Sequence, residues 1–257
     1  MSLFERLKTT AADDWNAYVD HAFVRGLGEG SLAEAAFRNY LVQDYLFLIQ
    51  FARAHALAAY KSRTLADMHA ARGGLGAILD EMGLHLRVCE RWGLSAADVE
   101  ATEEQQATVA YTRFVLDVGM SGDLLDLQVA LIPCTLGYAE IGRRLTPDGI
   151  DAIPAGHPYR DWIAEYSGAP FQQAGEAAHA WLDDLGRRYA GDNRYPELVG
   201  IFRKACRLES AFWQQGLDAA QSGGGAPPTP PPRPPAGKKR GGGGGRGGGV
   251  DPPPPPP

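Results

Sequence analysis

The sequence predicts an all-α fold of about eight helices. Apolar residues recur at helical spacing through most of residues 1–221, and strand-like alternation is nearly absent. The interruptions are short and carry capping residues or glycine. With 257 residues, 44% of them hydrophobic, the chain can bury a sizeable core.

Each element has its own signal. Ser2 and Glu5 form a capping-box pattern ahead of a helix reaching about His21, and GLGEG at 26–30 breaks it. Ser31 and Glu34 repeat the pattern and open a long helix ending near Ser62. A third long helix spans about Thr64 to Trp92, with RGGLG as its weak point, because glycine costs about 1 kcal/mol in a helix interior. GLSAAD ends it and starts a short helix. Gln105 to Val118 is helical, GMSGD turns the chain, and 124–145 forms a helix apolar almost all round. TPDGIDAIPAGHP reads as a loop, and helices at Tyr159–Ser167, Ala169–Tyr189 and Pro196–Ala220 complete the domain.

Residues 222–257 are different. They hold 13 of the 19 prolines and 12 of the 32 glycines, and nothing among them can bury apolar surface, so disorder is expected. Such a segment reads as a solvated spacer or reading-frame debris. It carries five basic residues against Asp251, so the total of −6 leaves residues 1–221 at −10. An acidic body argues against nucleic acid as a partner. Three cysteines make neither an even disulfide set nor a C-x-x-C pair, which fits a reducing compartment. No apolar run approaches the ~18 residues of a membrane span, and the first residues lack a signal-type apolar stretch. The expectation is a soluble cytoplasmic protein.

Candidate chemistry lies where polar residues interrupt apolar helix faces. In LLDLQVALIPCTLGYAEIGRRL, Pro133 removes the donor to Val129 and predicts a bent axis beside Cys134, with Tyr138 one turn on. A buried cysteine is ordinarily packing, so the thiol reads equally as core or as nucleophile. Asp44 stands among Leu41, Val42, Tyr45 and Phe47, where a carboxylate is costly unless paired. Glu209 is flanked by Cys206, Phe212 and Trp213, which suits a flat nitrogen-bearing ring or a plain surface glutamate. Tyr111 and Tyr166 carry no separate signal. Glu81 with His85, and Glu176 with His179, are the competing metal-type pairs, but only one true Glu-x-x-His occurs. No phosphate-binding glycine loop and no G-x-S-x-G is present in the body.

Together these segments resemble the TenA family, the thiaminase II or aminopyrimidine aminohydrolase proteins of the heme-oxygenase-like all-α fold. WNAYVDHAFVRGLGEGSL is similar to the family's opening, and FRNYLVQDYLFLIQFARAHALA to its second-helix signature, with Asp44 at the aspartate position. AYTRFVLDVGMSGDLLDLQVALIPCTLGYAEIG resembles the segment that carries the family cysteine, here Cys134. HPYRDWIAEYSG and ESAFW place the family tyrosine on Tyr166 and its glutamate on Glu209. Phe47 departs from a position where the family often has tyrosine, and the Gly/Pro tail has no counterpart.

The resemblance implies a cofactor-free, metal-free hydrolase of thiamine salvage, usually a homotetramer. It would convert an aminomethyl pyrimidine, or thiamine, to the hydroxymethyl pyrimidine through a cysteine adduct. Cys134, Glu209 and Asp44 would be catalytic; Phe47, Tyr111, Tyr138, Tyr166 and Phe212 would hold the ring. Two alternatives stand beside it. One is an oxidase of the same fold, di-iron or cofactorless, and the other is a pyrimidine-binding protein without turnover.

Overall fold

The computed structural model describes residues 1–221, and the expectation of a disordered 222–257 lies outside the described residues. Eleven α-helices and two short 3-10 turns account for the described elements, with no strand among them. The expected all-α class holds, with more helices than the eight anticipated.

The extra helices come from the first 33 residues. One helix was expected to His21, but α1 (Leu3–Thr10) ends at Ala11, and α2 (Ala12–Val19) and α3 (Ala22–Glu29) follow. No glycine or proline marks the break at Ala11. It is set by packing, since Ala11 is fully buried and α1 lies on α10 while α2 lies on α11. GLGEG does not break a helix at its start either. Helix α3 runs through Gly26 and Gly28 and stops at Gly30, whose φ of 73° is left-handed. The Gly26 carbonyl accepts from the Ser31 and Leu32 N–H groups, so Ser31 is used in closing α3. The N-cap of α4 (Glu34–Lys61) is therefore Ala33, and the second capping box expected at Ser31 does not form.

Helix α4, 28 residues and about 42 Å long, packs along α5 (Leu65–Arg91), α7 (Gln106–Ser121) and α11 (Tyr195–Gln221). Thr64 caps α5, and RGGLG does not interrupt it. After the short α6 (Ala96–Glu100), the chain returns in α8 (Leu124–Leu145), which packs on α7, α9 (Arg160–Ser167), α10 (Ala169–Tyr189) and α11. Asp123 and Asp126 make a reciprocal capping box at its start, and Arg194 reaches both, at 2.7 Å and 2.5 Å.

By length and mean hydropathy α8 could cross a membrane, against the sequence expectation that no segment comes close. Its apolar window is instead 89% buried by the neighbouring helices. That burial explains why it is apolar all round: a helix surrounded by other helices has no face to give to water.

Helix α8 continues through Pro133. The Tyr18 hydroxyl donates to the Pro133 carbonyl at 3.3 Å, and the Tyr18 ring occupies the space over Gly137. A Cβ at Gly137 would lie 2.1 Å from Tyr18 Cε1, and Tyr18 is fully buried with nowhere to move. Gly137→Ala should therefore be destabilising on balance by about 2 kcal/mol, because an overlap this severe puts the overpacking cost at about 3 kcal/mol against the roughly 1 kcal/mol that alanine gains in a helix. Urea unfolding measures this, and a variant as stable as the parent contradicts the close packing.

Candidate active site

A cavity of about 450 Å³ lies between α4, α5, α8, α9 and α10. Its α4 wall is one helical stripe, Asp44, Phe47, Leu48, Phe51 and His55, about 16 Å long. Cys134, Thr135 and Tyr138 come from α8, Glu81 from α5, and Tyr166 from α9. Five residues singled out in the sequence thus meet at one wall: Asp44, Phe47, Cys134, Tyr138 and Tyr166. Cys134 and Tyr138 are one turn apart, so both face inward.

The other three stand behind that wall. Glu209 is 2% exposed on α11 and accepts a 2.8 Å hydrogen bond from the Tyr111 hydroxyl on α7. Phe212 packs on Phe47 at a ring separation of 5.6 Å, and Tyr111 on Phe47 at 5.0 Å. None of the three lines the cavity itself.

The carboxyl groups are short of compensating cations. Asp44, 4% exposed, accepts from the Tyr40 hydroxyl at 3.1 Å, and Tyr40 in turn accepts from Trp162 Nε1 at 3.1 Å. Withdrawal from water pushes Asp44 up to about 7, against the Tyr40 bond that favours its ionised form. Burial likewise raises Glu209 to about 8, opposed by Tyr111 and assisted by the charge of Asp44. Glu81 accepts from the Tyr166 hydroxyl at 3.1 Å, and burial with the nearby Asp44 charge takes it to about 8. Around neutrality these groups are therefore poised to hold protons.

Burial also pushes the Cys134 thiol well above its ordinary range, and the negative charges of Glu209, Asp44 and Glu81 add to the shift. The resting sulfur is a thiol, with its thiolate disfavoured. A nucleophilic role then requires its proton to leave as the sulfur attacks, and basic forms of these carboxylates are the nearby acceptors.

The sequence reading missed part of the wall. Phe51 and His55 continue the Asp44 stripe at helical spacing and could have been found from it. Glu81 stood out only as a metal candidate. Gly74, the supposed weak point of α5, lets His55 approach: a Cβ there would be 2.5 Å from His55 Nδ1. The metal-type pairs do not converge. Glu81 and His85 adjoin Asp44, whereas His179 bonds Ser2 at the start of α1. Among the described residues, no group of three or more histidine, cysteine or acidic side chains could hold a metal ion.

The TENA/THI-4/PQQC family model matches residues 9–219, nearly the whole described chain. The chain belongs to the TENA/THI-4/PQQC family. An aminopyrimidine aminohydrolase from Halalkalibacterium halodurans is 38% identical over 215 residues, covering 83% of this chain and 94% of the relative. A solved structure described as a TenA family transcription regulator, from a Silicibacter species, is 46% identical, with a TM-score of 0.79 over 84% of this chain and 96% of that one. A domain from Shewanella denitrificans with a heme oxygenase-like fold superposes with a TM-score of 0.67 at 12% identity, covering 87% and 96% of the two chains, which speaks to fold alone. The heme-oxygenase-like architecture expected from the sequence is therefore the one this TENA/THI-4/PQQC member adopts.

The raised Glu209 gives a signed stability test. The folded chain keeps this carboxyl protonated up to about 8, while an unfolded glutamate ionises near ~4.3. Between those values the folded state binds the extra proton, so rising pH costs stability. Relative to Glu209→Gln, the parent should lose about 1 kcal/mol per pH unit from roughly pH 5 to 8, then level off. Urea unfolding across that range checks it, and parallel stability curves refute the buried protonated carboxyl.

Proposed function

We propose that this TENA/THI-4/PQQC member is an aminopyrimidine aminohydrolase. It converts 4-amino-5-aminomethyl-2-methylpyrimidine and water to the 5-hydroxymethyl pyrimidine and ammonia, and accepts thiamine with its thiazole as the leaving group. One observation carries the reading: Cys134 from α8 and Asp44 from α4 line one aromatic-walled cavity. The identity to a relative bearing that activity supports it.

In this reading the pyrimidine lies against Phe47 and Tyr138, with Tyr166 closing the box. The Cys134 sulfur adds to the ring carbon next to the one carrying the methylene, breaking the aromaticity, and the thiol proton passes to the base side. The electron-rich ring expels the protonated amine and leaves an exocyclic methylene. Water adds to that methylene, the Cys134–carbon bond breaks, and the ring and the thiol are restored. One hard displacement becomes two easier steps. Tyr111 holds Glu209 beside the sulfur, where the ionised form of Glu209, a minority at neutral pH, receives and returns its proton; Asp44 binds a ring nitrogen or the amino group. Phe212 supports Phe47 from behind. The unpaired cysteines fit a reducing cytoplasm, and a homotetramer is the assembly the family resemblance implies.

A second reading, a pyrimidine-binding regulator without turnover, is favoured by the description of the Silicibacter structure. Incubation with the aminomethyl pyrimidine separates the two. The hydrolase releases hydroxymethyl pyrimidine and ammonia, and Cys134→Ser folds but loses at least about 10²-fold in kcat, the scale of losing one participating group. Binding with no product supports the regulator, and full turnover by Cys134→Ser overturns the covalent route.

A further inference from the structure

His85 lies on α5 behind Asp44, 7% exposed, and does not line the main cavity. Its Nε2 is 2.7 Å from the Leu41 carbonyl oxygen. A carbonyl only accepts, so Nε2 carries the hydrogen. In the neutral ring Nδ1 then presents a lone pair, and it lies 3.5 Å from Asp44 Oδ2. A lone pair facing an ionised oxygen is repulsive, so a proton belongs between them.

Tyr40 does not supply that proton. Tyr40 takes its own hydrogen bond from Trp162 and spends its hydroxyl hydrogen on Asp44 Oδ2. The other ionisable groups around the pair are Tyr45 of α4, stacked on the His85 ring, Glu81, Cys89 and Arg91 of α5, Cys134 and Tyr138 of α8, Asp161, Glu165 and Tyr166 of α9, and Glu209 of α11. Arg87 is the cation on the cavity wall, with Glu165 within reach of its charge.

We propose that His85 and Asp44 hold a single proton as a dyad, making His85 a positioning residue that sets whether the oxygen Asp44 leaves for the substrate is a neutral or an anionic acceptor. This rests on the aminohydrolase reading for its use, though not for its existence. With the proton on Asp44 Oδ2, directed at Nδ1, the other oxygen is a neutral carbonyl-type acceptor for an amino N–H. With the proton on His85 Nδ1, Asp44 is a carboxylate that accepts from an amino N–H. The proton moves between two neighbouring atoms, and none crosses the cavity. Burial lowers His85 and raises Asp44, so the resting pair keeps its proton on Asp44.

Two measurements test it. In nitrogen NMR of the resting parent, the His85 ring should show a protonated Nε2 and an Nδ1 acting as acceptor, and Asp44→Asn should shift the Nδ1 signal. An Nδ1 signal indifferent to Asp44→Asn, or a ring with hydrogen on Nδ1 and none on Nε2, overturns the dyad. In kinetics, His85→Gln keeps a donor for Leu41 and replaces the titratable Nδ1 with an amide oxygen that never carries the proton. The limb of the kcat/KM pH profile governed by Asp44 should then move down by about one pH unit, because an amide oxygen is a weaker acceptor than the imidazole nitrogen for the carboxyl's proton and cannot take that proton up. A profile scaled in height but unmoved in pH overturns the dyad's role. A parent with the nitrogen signature and no turnover defeats the aminohydrolase reading while leaving the dyad intact.

Discussion

Asp44, Glu81 and Glu209 arrive on α4, α5 and α11 around one cavity, and each is given a tyrosine hydroxyl instead of a cation. That choice constrains the rest. Ionised, the three would repel one another in a medium that screens poorly; protonated, each costs little more than a buried hydroxyl pair. Tyr40, Tyr111 and Tyr166 are consequently fixed in orientation. The aromatic layer that fixes them, including Phe47, Trp162 and Trp213, fills the centre of the bundle.

The same withdrawal from water governs the sulfur. Cysteines made reactive in the resting state usually sit beside a cation or a helix N-terminus. Cys134 lies eleven residues into a 22-residue helix, with the acidic side chains of Glu209, Asp44 and Glu81 around it. In the proposed reaction its thiol is quiet until a substrate brings in a ring that can take electrons and nitrogens that can take protons. Quiescence of this kind protects a half-buried thiol from incidental oxidation, because the thiolate is the form that reacts. In the proposed reaction the cost is that addition must be coupled to proton movement, the role assigned there to the carboxyl groups.

Much of this arrangement was legible in the chain itself. Helical periodicity found every long helix, and the one-turn spacing of Cys134 and Tyr138 placed both on one face. The cost of an unpaired carboxylate drew attention to Asp44. What was hidden depends on contacts distant in sequence. Ser31 looked like a cap, but closing α3 at Gly30 used it first. Ala11 ends a helix with no local marker, because burial against other helices decides there. Glu81 and His85 looked like a metal pair, since nothing local says that one meets Tyr166, 85 positions away, and the other meets Leu41 and Asp44 across α4 and α5.

The central claim is that these carboxyl groups carry protons at a pH where exposed ones have lost them. Infrared spectroscopy of the resting protein at about pH 6 measures that directly, well above the ~4 at which free carboxyls ionise. The account predicts protonated carboxylic-acid bands, with separate components missing from Asp44→Asn and from Glu209→Gln. A spectrum with only ionised carboxylate, unchanged by either substitution, contradicts it.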